Sequence, residues 1–158
     1  MKKYLVTSVL ACTVLCSSAF AADGVINVTG KVIENACVVN PELNVQMGVM
    51  AAATFKDFGD EGPNKAFSLE LKDCPANLKT ATVQLDGEES AYYELFKLTE
   101  GGATGLALRI RGQAPGRKTE ILLQEGTNII SFEAVYKAVD KVTAGAANAI
   151  IQFSVSYN

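Results

Sequence analysis

The stretch at residues 149–158, Ala-Ile-Ile-Gln-Phe-Ser-Val-Ser-Tyr-Asn, constrains the fold more than any other. Ile151, Phe153, Val155 and Tyr157 are apolar while Gln152, Ser154 and Ser156 between them are polar, the period-two pattern of a strand with one buried face. The stretch holds no charge and no proline, so it lacks the usual devices that keep a sheet edge from pairing with whatever comes near. No later strand follows it. The expectation is that its free edge is covered either by an earlier segment of the chain or by another molecule.

Upstream, strand signals recur with turn signals between them. Residues 24–33 are β-rich, with Ile26, Val28 and Val32 on one face and Gly30 in the same register. Residues 43–49, 67–71, 82–85, 93–98, 106–110, 121–123 and 129–136 continue the series. Asp86-Gly87, Gly101-Gly102, Pro115-Gly116 and Glu125-Gly126 punctuate it. Only residues 49–55, with Ala51-Ala52-Ala53, predict a short helical turn. Many short strands with regular turns indicate an all-β sandwich or barrel. Residues 57–65 are polar and glycine-containing, which predicts a mobile loop.

The N-terminus has the form of a signal peptide over residues 1–21. Lys2 and Lys3 precede a largely apolar run, and Ser17-Ser18-Ala19-Phe20-Ala21 ends in the small-x-small pattern of a cleavage site. Cys12 and Cys16 leave with that segment. Residues 22–158 then make one domain of ordinary size. Without Lys2 and Lys3, 12 basic residues face 17 acidic ones, a net charge of −5; such a surface does not court nucleic acid. Cys37 and Cys74 are the two cysteines left, and export through an oxidising compartment predicts a disulfide between them.

The chain contains no histidine, which removes the commonest general base and the standard serine and cysteine hydrolase arrangements. No catalytic residue, metal ligand or cofactor is expected, and the chain does not read as an enzyme. Glu88-Glu89 follows a turn and points to water. Gly101-Gly102-Ala103-Thr104-Gly105 lacks the Lys-Ser/Thr and the helix of a phosphate cradle. Arg109, Arg111, Arg117 and Lys118 read as the solvated outer face of a hairpin. Tyr92, Tyr93, Phe96, Phe132 and Tyr136 read as core or cross-strand pairs rather than a carbohydrate platform.

Taken in order, these segments resemble the subunits of pili assembled by the chaperone–usher pathway, of the type 1 and P pilus kind. The resemblance spans residues 22–158. It rests on the alternating segment from Gly24 to Ile33 followed by Cys37, and on Val45-Gln46-Met47-Gly48. It continues through Phe67-x-Leu-x-Leu-x-x-Cys74, Val83-Gln84-Leu85-Asp86-Gly87 and Gly105-Leu106-Ala107-Leu108-Arg109-Ile110. Its most specific part is the penultimate Tyr157, the alternating residues before it, and Gly145, fourteenth from the C-terminus.

The resemblance implies an incomplete immunoglobulin-like sandwich lacking its last strand, with a donor-strand extension at residues 22–33 and a pilin domain at residues 34–158. It implies that Ile26, Val28 and Val32 fill pockets of a neighbouring subunit's groove, with Gly30 where a side chain would collide. It further implies that Gly145, Ile151, Phe153, Val155 and Tyr157 form the edge taken by a periplasmic chaperone and then by the next subunit. The implied partners are that chaperone, an outer-membrane usher and neighbouring pilus subunits; the implied location is a fimbria on the bacterial surface, supporting cell adhesion. The host receptor is not legible. Only Ala22 and Asp23 precede Gly24 after the expected cleavage, a shorter tail than many major pilins carry, which leaves a rod or a minor position open. A two-domain tip adhesin is not expected. The alternative is a self-complete periplasmic or surface β-sandwich that binds a sugar or a protein, in which residues 24–33 pair within their own chain.

Overall fold

A computed structural model of the chain describes residues 28–29 and 36–157. The chain divides into two units, residues 1–32 and 33–158. Val28 and Thr29 are the described residues of the first, and both are exposed. The expected signal peptide and the donor positions Ile26, Gly30 and Val32 lie outside the described residues.

Among its described residues the second unit has eight strands and one turn of 3-10 helix at Ala52–Thr54. The strands are β1 (Val38–Val39), β2 (Lys65–Cys74), β3 (Thr80–Asp86), β4 (Phe96–Lys97), β5 (Leu106–Ile110), β6 (Lys118–Leu122), β7 (Gly126–Ala138) and β8 (Gln152–Tyr157). They form two antiparallel sheets, ordered β1-β2-β7-β5-β4 and β6-β3-β8. Both sheets turn alternating apolar residues toward each other: Leu69 and Leu71 from β2 and Phe132 and Ala134 from β7 on one side, Ala81, Val83 and Leu85 from β3 on the other. This is the packing of a β-sandwich. Phe67 and Phe132 face each other across the β2–β7 ladder and stack with ring centroids 5.3 Å apart, a cross-strand aromatic pair that fixes the register.

Cys37 and Cys74 are joined, with Cα atoms 4.3 Å apart. Strict alternation along β2 from the buried Leu71 would turn Cys74 outward. A bulge between Leu71 and Cys74 corrects this: Asp73 takes a positive φ of 52°, a conformation that aspartate tolerates better than most residues, and Cys74 is buried.

The structure departs from the sequence reading in four places. Residues 43–49 form no strand; among the described residues they have no ladder partner, and alternation without a partner does not make a sheet. Residues 57–65 are tied down. Gly59 and Gly62 donate to the carbonyls of Ala138 and Tyr136, and Ala138 donates to that of Asp60, so this segment extends the β2 side of the ladder along β7. Asp60 also accepts from the amides of Lys56 and Asp57, and these bonds hold its carboxyl below the usual carboxylate range. Tyr92 and Tyr93 are exposed, Tyr93 at 81%, while Phe96, Phe132 and Tyr136 lie in the core. The arginines are paired rather than merely solvated, as described below.

Candidate functional site

β8 pairs with β3 from Ala81↔Tyr157 to Asp86↔Gln152. On its other edge it has no partner among the described residues. Its inward residues, Phe153, Val155 and Tyr157, are half-buried, with exposed Gln152, Ser154 and Ser156 alternating between them. By contrast, the inward residues Ala81, Val83 and Leu85 of the neighbouring β3 are buried outright. Among the described residues no strand covers this face beyond β8.

Beside this face lies an open cavity of about 1390 Å³ between the sheets. Its floor is apolar and includes Phe67, Leu69, Leu108, Ile110 and Phe132. One wall is formed by residues 142–149 and the start of β8, with Gly145, Ile151 and Phe153 lining the space. The facing wall is the strandless segment with Val45, Met47 and Met50. Val45 and Met47 are half-buried while Asn44, Gln46 and Gly48 are exposed, so burial alternates along this wall although it forms no strand. Sequence reading took it as a strand and missed its place in the site. The alternation was visible; the missing partner was not.

Five positions were expected at this edge. Ile151, Phe153 and Gly145 line the cavity, and Val155 and Tyr157 continue the same inward face against the core. The Tyr157 hydroxyl donates to the carbonyl of Cys37 at 3.5 Å, which joins the end of β8 to the disulfide, and burial pushes this hydroxyl's pKa up. Burial does the same to Tyr136, whose hydroxyl donates to the carbonyl of Ala147 in the cavity wall.

Gly145 acts through close backbone packing. A Cβ there would lie 2.5 Å from the amide nitrogen of Ala103, and one on Gly102 would lie 1.9 Å from the carbonyl oxygen of Ala146. Only paired glycines let these two backbones approach so closely. The approach is held by the Ala103 amide donating to Ala146 at 2.8 Å and by the Thr104 amide donating to the Thr143 hydroxyl at 3.0 Å. The segment that enters β8 is thereby clamped to the 101–105 turn. In the sequence Gly101-Gly102 is legible as a turn signal, without the backbone it meets.

Edge chemistry distinguishes β8 from the other strands. β6 carries exposed Lys118 and Glu120, and β1 and β4 are two residues each. Charge and brevity both discourage strand addition; β8 has neither protection.

The three arginines of the basic cluster are paired within the chain. Glu61 accepts from Arg109 and Arg111 at 2.8 Å each. Arg111 also reaches Asn64 and Glu133, and Arg117 pairs with Glu94. Burial works against the charge of Glu61, but the Arg109 hydrogen bond and the two guanidinium charges outweigh it and hold its carboxyl below the usual 4.5. Glu88 is engaged by Lys97. Among the described residues no group of three or more histidine, cysteine or acidic side chains is placed to hold a metal ion.

Residues 26–158 match the family model described as "Fimbrial protein". The chain is 32% identical to the probable fimbrial subunit LpfE of Escherichia coli O157:H7, over 95% of this chain and 92% of that one. It is 29% identical to the type-1 fimbrial protein A chain of Escherichia coli, over 98% of each. Among solved structures it resembles the P pilus rod subunit PapA with a TM-score of 0.69 at 20% identity, covering 78% of this chain and 100% of that one.

Proposed function

The chain belongs to the fimbrial protein family and is a structural subunit of chaperone–usher pili with an immunoglobulin-like fold, and from this premise we propose that it polymerises head to tail by strand exchange through its open groove. The observation that carries the proposal is the uncharged edge of β8, unpartnered among the described residues, beside a cavity of about 1390 Å³ with an apolar floor. Neighbouring pilus subunits are its partners, and the family is structural rather than a class of enzymes.

In the proposed mechanism the segment at residues 24–33 of one subunit enters the groove of the next. Its main chain satisfies the free amides and carbonyls of β8, the mode of strand addition for which donor-strand complementation of pilins is itself an established instance. Ile26, Val28 and Val32 supply the missing apolar side chains, and Gly30 passes where the groove has no room for one. Three such side chains contribute roughly 5–9 kcal/mol of burial before the costs of association. A donor at one end and an acceptor along the body make a heterologous contact that does not close, so the product is a filament. Before assembly the same groove would be held by a strand of a periplasmic chaperone, which would deliver the subunit to an outer-membrane usher. This reading accounts for a signal peptide at residues 1–21 and a fimbria on the cell surface.

A synthetic peptide of residues 24–33 tests the proposal when added to the chain lacking residues 22–33. One-to-one binding with a raised unfolding temperature is expected. A truncated chain that binds no peptide and stays a stable monomer would overturn the proposal in favour of a self-complete sandwich.

A further inference from the structure

Besides Met1 the chain has two methionines, Met47 and Met50, and both stand in the same wall of the groove. Both are half-buried and pack on the edge of the core. The remaining sulfur among the described residues is locked in the Cys37–Cys74 disulfide. Every thioether among the described residues therefore borders the open groove. The Met50 sulfur lies over the bare backbone of Gly62: a Cβ there would meet Met50 Sδ at 2.9 Å and the buried ring of Phe55 at 3.2 Å. The Gly62 backbone thus stands against one side of the sulfur, and an oxygen added on that side would displace the side chain.

We propose that Met47 and Met50 are sulfoxidation sites of the open groove, and that their oxidation by a hydroperoxide closes the groove to an apolar strand, an inference that rests on the strand-exchange reading above. In the step, a sulfur lone pair attacks one oxygen of hydrogen peroxide. The S–O bond forms as the O–O bond breaks, and the proton of the transferred hydroxyl goes to the departing hydroxide, which leaves as water. Sulfur loses the two electrons that the peroxide gains. The product turns a flexible apolar side chain into a polar one. A strand seated over the groove would bury the new oxygen in a cavity whose apolar floor, with Phe67, Leu69 and Phe132, offers it no donor. The same strand, once seated, covers both thioethers. Oxidation therefore acts on subunits whose groove is open and spares those whose groove is filled.

The test treats the purified chain with hydrogen peroxide and maps the gain of one oxygen at Met47 and Met50 by peptide mass spectrometry, with and without a saturating peptide of residues 24–33. Both methionines should oxidise in the open chain and do so roughly fivefold or more slowly with the peptide bound. The oxidised chain should bind the peptide roughly tenfold more weakly, while the double variant M47L/M50L, which conserves side-chain volume, should bind equally before and after peroxide. Thioethers that resist peroxide in the open chain, or an oxidised chain of unchanged affinity, would overturn the proposal. An untreated chain that fails to bind the peptide would overturn the strand-exchange reading instead. The proposal is then decided by the apolar dye anilinonaphthalene sulfonate, whose binding oxidation must weaken in the unsubstituted chain and leave unaltered in M47L/M50L.

Discussion

Gly102→Ala should damage the groove without touching a residue that lines it. The new methyl carbon would sit 1.9 Å from the carbonyl oxygen of Ala146, where ordinary contact begins near 3.4 Å, so the two backbones must separate by about 1.5 Å. That movement breaks the hydrogen bond from Ala103 to Ala146 at 2.8 Å and strains the paired bonds between Thr104 and Thr143. One net hydrogen bond contributes about 1 kcal/mol and the forced overpacking costs about 1–3 kcal/mol, so a loss of about 2–4 kcal/mol is expected. Because residues 142–149 form a wall of the cavity, affinity for a peptide of residues 24–33 should fall together with stability. Gly101→Ala is the matched control. Its φ is +83° with nothing within 4 Å of the added carbon, so it should cost only the left-handed strain of about 1–2 kcal/mol and leave peptide binding intact. Equilibrium urea unfolding and peptide titration of both variants make the comparison. A Gly102→Ala chain as stable as Gly101→Ala, with unaltered peptide affinity, would refute the clamp.

Removing the disulfide by Cys37→Ser with Cys74→Ser opens a 37-residue separation, and on the chain-entropy model should cost about 4 kcal/mol, read from urea unfolding. The Glu61 carboxyl is held below 4.5 in the folded chain, so its pairing stabilises fully above that pH and is lost as pH falls through the lower folded value. Glu61→Gln should therefore flatten the acid limb of unfolding temperature against pH and cost roughly 1 kcal/mol or less near neutrality. Replacing Gly30 with leucine should abolish fibres while leaving chaperone binding intact, seen by electron microscopy and co-purification; normal fibres would mean that the donor register is wrong.

Elements whose signal is local were readable from sequence. Residues 106–110 are a short apolar run between turn glycines and form β5 over the expected span, and Ala51-Ala52-Ala53 points to the turn of 3-10 helix at Ala52–Thr54. β8 was legible because its pattern is strict and its lack of charge is unusual for an edge. What failed depends on partners distant in the chain. Leu43, Val45 and Met47 carry a strand's alternation, yet strand formation needs a ladder partner, which local sequence does not contain. The pairing of Arg109 and Arg111 with Glu61 spans some fifty residues, so two arginines that read as part of a free basic face are paired with a loop that reads as mobile. The Gly102–Gly145 contact is likewise a meeting of two turns. Glycine marks a place where backbone comes close, but it does not name the backbone that comes.

Size-exclusion chromatography of the periplasmic protein, with and without residues 22–33, tests the central claim most directly. Strand exchange predicts polymers or a chaperone complex from the full chain and loss of the polymers without those residues. A folded monomer that is merely destabilised by their removal would contradict it, because the segment would then be completing its own domain.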